Sequence, residues 1–188
     1  MKTTTLTAIA TVFTMTAGAA FAESHSMANP MVGGAEMFPQ KNIVENAANS
    51  ADHTTLVAAV TAAGLVDTLA SEGPFTVFAP VNSAFAALDQ DQLADLLKPE
   101  NKAALTQILT CHVVGAEVFS DAISGMVADA GGAFAVETLG GCTLMAKAKG
   151  DMLTLTDERG QVANITIADV DQSNGVIHVI DTVMLPAE

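Results

Sequence analysis

The sequence predicts an α+β domain in which helices come first and strands follow. Apolar residues recur at helical spacing between Lys41 and Leu109, the period changes to two from Cys111 onward, and the composition suits one core rather than several. At 188 residues with 50% hydrophobic content, the chain is long enough for a single domain with a substantial core. Eight Phe with no Trp or Tyr leave that core to Val, Leu, Ile, Ala and Met, and make stacking platforms for sugars or bases scarce. The architecture expected is a small β-sandwich or wedge with several helices packed along one edge.

Residues 1–22 carry Lys2, an apolar stretch from Leu6 to Phe21 and the triplet Ala20-Phe21-Ala22, the pattern of a secretory signal peptide cleaved after Ala22. The stretch is short for a membrane anchor, no Cys follows it for lipid attachment, and no later segment is apolar enough to span a bilayer. The expected location is therefore periplasmic or secreted. Residues 23–40, rich in Ser, Asn, Gly, Pro and Met without periodicity, read as a flexible arm, and residues 41–188 as the domain.

Within the domain, Ile43, Val44 and Ala47 share one side of a first helix, and Leu56, Val57 and Val60 share one side of a second that Gly64 ends. Residues 75–79 read as a buried strand that Pro80 stops, after which Asn82 or Ser83 caps a helical turn. Asp91 to Leu97 and Pro99 to Leu109 read as helices, with Pro99 suited to a first helical position. Cys142, Leu144, Ala146 and Ala148 alternate with Thr143, Met145, Lys147 and Lys149, as in a strand with one wet face. Asp157-Glu158-Arg159-Gly160 is a hairpin turn between strands at 153–156 and 162–167. Asn174-Gly175 makes the next turn, and Asp169 and Asp171 read as loop residues before it, without the spacing of a calcium-binding loop.

Two segments stand out: TVFAPVNSAF from Thr76 to Phe85, and GVIHVIDTVMLP from Gly175 to Pro186, an apolar run suited to a strand buried on both faces. Their order and separation resemble the paired signature motifs of the fasciclin (FAS1) domain. TTLVAAVTAAGLVDTLASEGP ahead of the first, and ILTCHVVGAEV between them, resemble that family too. The likeness runs from Lys41 to Pro186, one module rather than the tandem arrays common in the family. It implies the FAS1 fold and noncovalent adhesion outside the cytoplasm, through contact with cell-surface protein or polysaccharide. It implies no reaction.

The formal charge of −14 becomes −15 once Lys2 leaves with the leader, which argues against nucleic acid and against insertion into or unassisted binding of anionic membranes. Spread carboxylates are the simplest reading of that acidity. No Ser-His-carboxylate set or phosphate-binding glycine loop is present, so neither an enzyme nor a cofactor is expected. A monomer is the working expectation, the oligomeric state being otherwise open.

A cut after Ala22 would place His25 third from a free amine, so that the amine, two backbone nitrogens and the imidazole offer copper a planar chelate. Met27, Met31 and Met37 add thioethers in the same arm; the plainer reading is that they dock it as apolar plugs. A periplasmic carrier of copper, or of an apolar ligand such as the carotenoids associated with some fasciclin proteins, is thus the alternative to adhesion.

His112, with Val113 and Val114, falls where the family often has a Tyr-His pair associated with integrin contact, Cys111 replacing the Tyr. It is read either as a partner contact or as a buried structural imidazole. His178 alternates with Val176 and Ile180. Asp181, on the apolar face of Val179 and Val183, is expected to accept hydrogen bonds from the turn at Asn82 and Ser83 and so to tie the two motifs together. His53 reads as a helix-start residue, and the sequon Asn164-Ile165-Thr166 lies inside a strand.

Cys111 and Cys142, each placed in a strand, are an even count in an exported chain and point to a disulfide over two buried thiols. Unreduced protein is accordingly expected to keep the same mass through alkylation; a gain of two adducts by mass spectrometry would mean free thiols.

Overall fold

The structure, a computed structural model, describes residues 29–150 and 152–187. It opens with a two-stranded hairpin, β1 (Met31–Val32) and β2 (Ala35–Glu36), followed by α1 (Ile43–Ala47), α2 (Thr54–Ala63) and α3 (Val66–Leu69). Asn42 caps α1 in a full capping box with Glu45, and Gly64, at φ 71°, ends α2 in the left-handed region. Next come β3 (Phe75–Pro80), α4 (Asn82–Ala86), α5 (Gln90–Leu96), α6 (Lys102–Thr110), β4 (Val113–Val114) and α7 (Ser120–Asp129). Five strands complete the domain: β5 (Phe134–Glu137), β6 (Thr143–Lys149), β7 (Met152–Thr156), β8 (Val162–Gln172) and β9 (Gly175–Ile180).

Helices then strands is the order the sequence predicts, and the α+β class holds. The seven-stranded sheet runs β4-β3-β9-β8-β7-β6-β5, antiparallel throughout except for the parallel pair β3–β9. Its two edges approach each other, so the sheet is nearly a barrel. The Leu139 N–H donates to the Val113 carbonyl and the Gly140 N–H to the Thr110 carbonyl, and the Cys111–Cys142 disulfide lies beside them, with Cα atoms 5.3 Å apart. On the chain-entropy account, closing this 31-residue loop contributes about 3 to 4 kcal/mol.

The central strands read as continuous apolar runs because two cores share them. Val77, Ala79, Ile177 and Val179 face a core roofed by Leu56, Val60, Leu105 and Leu109 of the helices. Phe78 and Ile180 face a second core, inside the curved sheet, with Ile123 and Val127 of α7 and Leu144 and Leu155.

Several local expectations are corrected. The α7 helix and β5 were not foreseen. Cys111 ends α6 and Cys142 precedes β6, so neither cysteine lies in a strand. Asp169 and Asp171 lie within β8, which bulges there, with Asp169 at φ 58°. The flexible-arm reading does not hold for residues 29–40: the hairpin is seated, Val32 and Met37 are buried in the helix-side core, and Asn46, fully buried, exchanges hydrogen bonds with both backbone groups of Phe38 while donating to Gln172 of β8.

This seating separates the two described arm methionines. Met37→Ala is expected to cost about 2 to 5 kcal/mol in denaturant unfolding, and Met31→Ala, at an exposed position, less than about 0.5 kcal/mol. Equal costs would mean that the segment is not docked.

Candidate functional site

The two signature segments meet through their backbones. β3 and β9 pair in register from Phe75 opposite Gly175 to Pro80 opposite Ile180, and the Val81 N–H extends the ladder to the Ile180 carbonyl. Gly175 starts β9 at φ 148°, where an added Cβ would lie 2.0 Å from the Phe75 carbonyl oxygen, so no side chain fits there. Asn174 holds the same end. Its Oδ1 accepts from the Ile43 N–H, and its Nδ2 donates to the carbonyls of Leu69 and Ser71.

Two buried imidazoles brace the sheet. His178, fully buried and stacked on Phe78, accepts from the Asp169 N–H at Nδ1 and donates from Nε2 to the Val118 carbonyl. His112 donates from Nδ1 to the Ile108 carbonyl and accepts the Met184 N–H at Nε2, tying the end of α6 to the C-terminal segment. Each ring uses one nitrogen as donor and one as acceptor, which only the neutral form can do. Burial lowers both pKa values, against the opposing pull of the backbone bonds and of a nearby carboxylate, and takes His112 to about 4. His53 is also buried. Its Nδ1 meets the Ser50 hydroxyl at 2.8 Å, its Nε2 has no hydrogen bond of ordinary geometry, and desolvation lowers its pKa.

Asp181 does not reach Asn82 or Ser83. It is exposed at the end of β9 and accepts from the backbone and side-chain amides of Asn164 at 2.8 and 2.7 Å, and from Thr182. Desolvation raises its pKa, but those bonds outweigh it and leave the carboxyl below the usual range. Asn82 bonds elsewhere, accepting from Thr55 and Thr54 and donating to the Ala51 carbonyl, so it latches the start of α2 rather than capping α4. Ser83 is exposed on α4. The motifs are thus tied by strand pairing, while Asn82 and Asp181 tie other elements.

The partner-contact reading of His112, Val113 and Val114 fails on burial, because His112 and Val113 are buried and Val114 half-buried in a two-residue edge strand. Of the copper candidates, His25 and Met27 lie outside the described residues, Met31 is exposed and Met37 is a core side chain. Among the described residues no three His, Cys, Asp or Glu side chains converge as metal ligands, and no helix is long and apolar enough to cross a membrane.

An enclosed apolar cavity of about 40 Å³ lies beneath the helices, lined by Ile43, Leu56, Val60, Leu109 and His112 among others. A larger apolar groove of about 310 Å³ follows the seam between β4 and β5, bordered by Phe78, Ile123, Met126 and Phe134. Sequence reasoning missed two features. One is the set of buried amides, Asn46, Gln172 and Asn174, whose separations of 126 and 131 residues from their partners give no local signal. The other is the continuation of the wet face of β6 across β7 and β8, where Met145, Lys147 and Lys149 stand beside Thr156, Thr154 and Met152, and Thr156 and Thr154 beside Val162 and Asn164.

Helices along one side of a nearly closed sheet, with two signature strands paired within it, define a helix-flanked α+β module. The chain belongs to the fasciclin domain family, whose model matches residues 51–186. It is 48% identical over 145 residues to Protein sll1483 of Synechocystis sp., a match covering 77% of this chain and 73% of that protein. It is 37% identical over 131 residues to the transforming growth factor-beta-induced protein ig-h3 of Sus scrofa, covering 70% of this chain and 17% of that protein. The solved FAS1 domain pair of the insect cell adhesion molecule fasciclin I shares the fold, with a TM-score of 0.69 at 16% identity over 77% of this chain and 51% of that one.

Neutral buried imidazoles give stability a definite pH dependence. Between an unfolded pKa of 6.5 and the folded value of about 4, the unfolded chain binds a proton that native His112 refuses, so stability falls as pH drops through that window. The full interval corresponds to about 3 kcal/mol for this ring. His112→Gln is expected to flatten the slope of unfolding free energy against pH between 6.5 and 4.5 relative to the parent protein; an unchanged slope would mean that His112 titrates normally in the folded state.

Proposed function

We propose that this protein is an exported, noncatalytic binding module that adheres to cell-surface protein or polysaccharide. One observation carries the reading: every histidine and cysteine among the described residues is buried, and His112, His178 and the two cysteines are each joined to another element of the fold by a disulfide or a hydrogen bond. Side chains so engaged hold a rigid frame and leave recognition to its outer surfaces and loops. Membership of the fasciclin family, with a fold shared by an insect cell adhesion molecule, supports the same reading.

The carrier alternative has less behind it. The enclosed cavity of about 40 Å³ falls far short of the roughly 300 to 1,000 Å³ of small-molecule sites, and the seam groove of about 310 Å³ only reaches the bottom of that range. Copper binding would fall to His25, Met27 and the exposed Met31, since Met37 packs in the core.

Cells of the source organism are expected to attach to surfaces coated with the purified protein more than to albumin-coated surfaces, and soluble protein should compete. Attachment no greater than to albumin, by native and heat-denatured protein alike, would refute adhesion.

A further inference from the structure

The outer face of β6–β8 differs from the rest of this acidic molecule. Lys147 and Lys149 project from it two residues apart on β6, which places them about 7 Å from each other along the strand. Neither forms an ion pair or hydrogen bond with a described residue. Of the other described basic residues, Lys98 pairs with Asp95, Lys41 lies over the Phe38 ring and Arg159 donates to the Pro186 carbonyl, while Lys102 stands by itself at the start of α6. The cross-strand partners of the two lysines are Thr154 and Met152, and the next row joins Met145 to Thr156 and Thr156 to Val162. Met152 is 58% exposed and Val162 51%. Thr154 and Thr156 are half-buried, and their hydroxyls have no partner within the described fold.

Among the described residues, carboxylates stand only at the margins of this face: Glu137 faces Thr143 at one end, Asp181 is engaged with Asn164, and Glu158 holds the Thr143 and Ala187 amides. Asp151, between β6 and β7 in sequence, lies outside the described residues.

From this geometry we infer that the outer face of β6–β8 is the recognition surface for an extended anionic polysaccharide. Lys147 and Lys149 meet successive acidic groups, Thr154 and Thr156 bond sugar hydroxyls, and Met145, Met152 and Val162 cover the C–H faces of the rings. This rests on the adhesion reading and names its partner.

Charge decides between occupants. A bilayer meets the whole facing surface of a chain with net charge −14, whereas a thin polymer samples only the potential within a screening length of about 8 Å along its track. A folded protein, including a second copy of this chain, would find no aromatic or Arg anchor on these strands of the kind that dominates protein interfaces.

The purified protein is tested by titration with polygalacturonate and heparin, with dextran as the neutral control. Binding to at least one polyanion, none to dextran, and weakening between about 50 and 300 mM salt are expected. K147Q/K149Q is expected to lose about tenfold in affinity, while K98Q/K102Q, the same charge change on the helix side, stays within about twofold. Equal losses in the two variants, or no binding of either polyanion at low salt, overturn the assignment. So do stronger lysine-dependent binding to anionic phospholipid vesicles and lysine-dependent self-association in sedimentation velocity, which would give the face to a membrane or to a second copy. Cell attachment measured in parallel separates the two readings: attachment without polyanion binding refutes only this partner, and polyanion binding without attachment refutes only adhesion.

Discussion

The parallel pairing of β3 with β9 is the constraint on which the rest of the structure depends. A strand near the middle of the chain and the last strand are joined over six register pairs, with no local turn to hold them together. The pair divides the interior in two, Val77 and Ile177 facing the helices and Phe78 and Ile180 facing the curved sheet. Each strand must therefore be apolar on both faces, which accounts for two of the longest apolar runs in the domain. Long-range closure of this kind costs chain entropy before it returns contacts. Asn174 and Gly175 answer part of that cost by binding α1, the end of α3 and the start of β3 at one corner.

Buried polar groups then fix what apolar packing leaves free. His178 joins β9 to the β8 bulge and to the segment before α7, and His112 joins α6 to the C-terminal segment. Thr76 works in the same way, donating to the Ala116 carbonyl and accepting from the Val118 N–H. Such groups stabilise only while fully bonded, because an orphaned partner in the interior costs about 1 to 3 kcal/mol. They specify register more than they add stability, and a frame held this way can present its outer faces without depending on what binds there.

The fold was legible in the sequence where local pattern and tertiary role coincide. Pro80 ends β3, Gly64 ends α2, the turn at residues 157–160 joins two strands and the alternation from Cys142 marks β6. It was not legible where a residue's local appearance differs from its work. α7 carries Gly125 in its middle and only a short apolar face of Ile123, Met126 and Val127, so its helical signal is weak although it fills the sheet. Asp169 has the composition of a loop but sits at a bulge, where both its oxygens hold Ser120 at the start of α7. Asp181 bonds to Asn164 and not to the first motif, because the end of β9 turns it to the surface. Met37 had two readings, thioether ligand or apolar plug, and local sequence could not choose between them because the choice depends on the segment folding back onto the helix-side core.

Acidity, finally, is more than a solubility device here. Asp157 accepts from the Arg159 and Gln161 amides to shape the β7–β8 turn, and from the Leu185 N–H to seat the C-terminal segment. Glu158 receives the amides of Thr143 and Ala187, and these bonds, the Ala187 bond foremost, lower its pKa. Asp89 and Glu45 serve helix N-termini, where negative charge also complements the helix dipole. Carboxylates accept backbone N–H groups and ammonium groups cannot, so a fold that uses carboxylates to finish strand and helix ends accumulates negative charge at its margins. The lysines of β6 have no such duty. Their position toward the hairpin end of a face whose described carboxylates lie at the rim is what construction of the fold leaves unexplained and recognition of an anionic partner would account for.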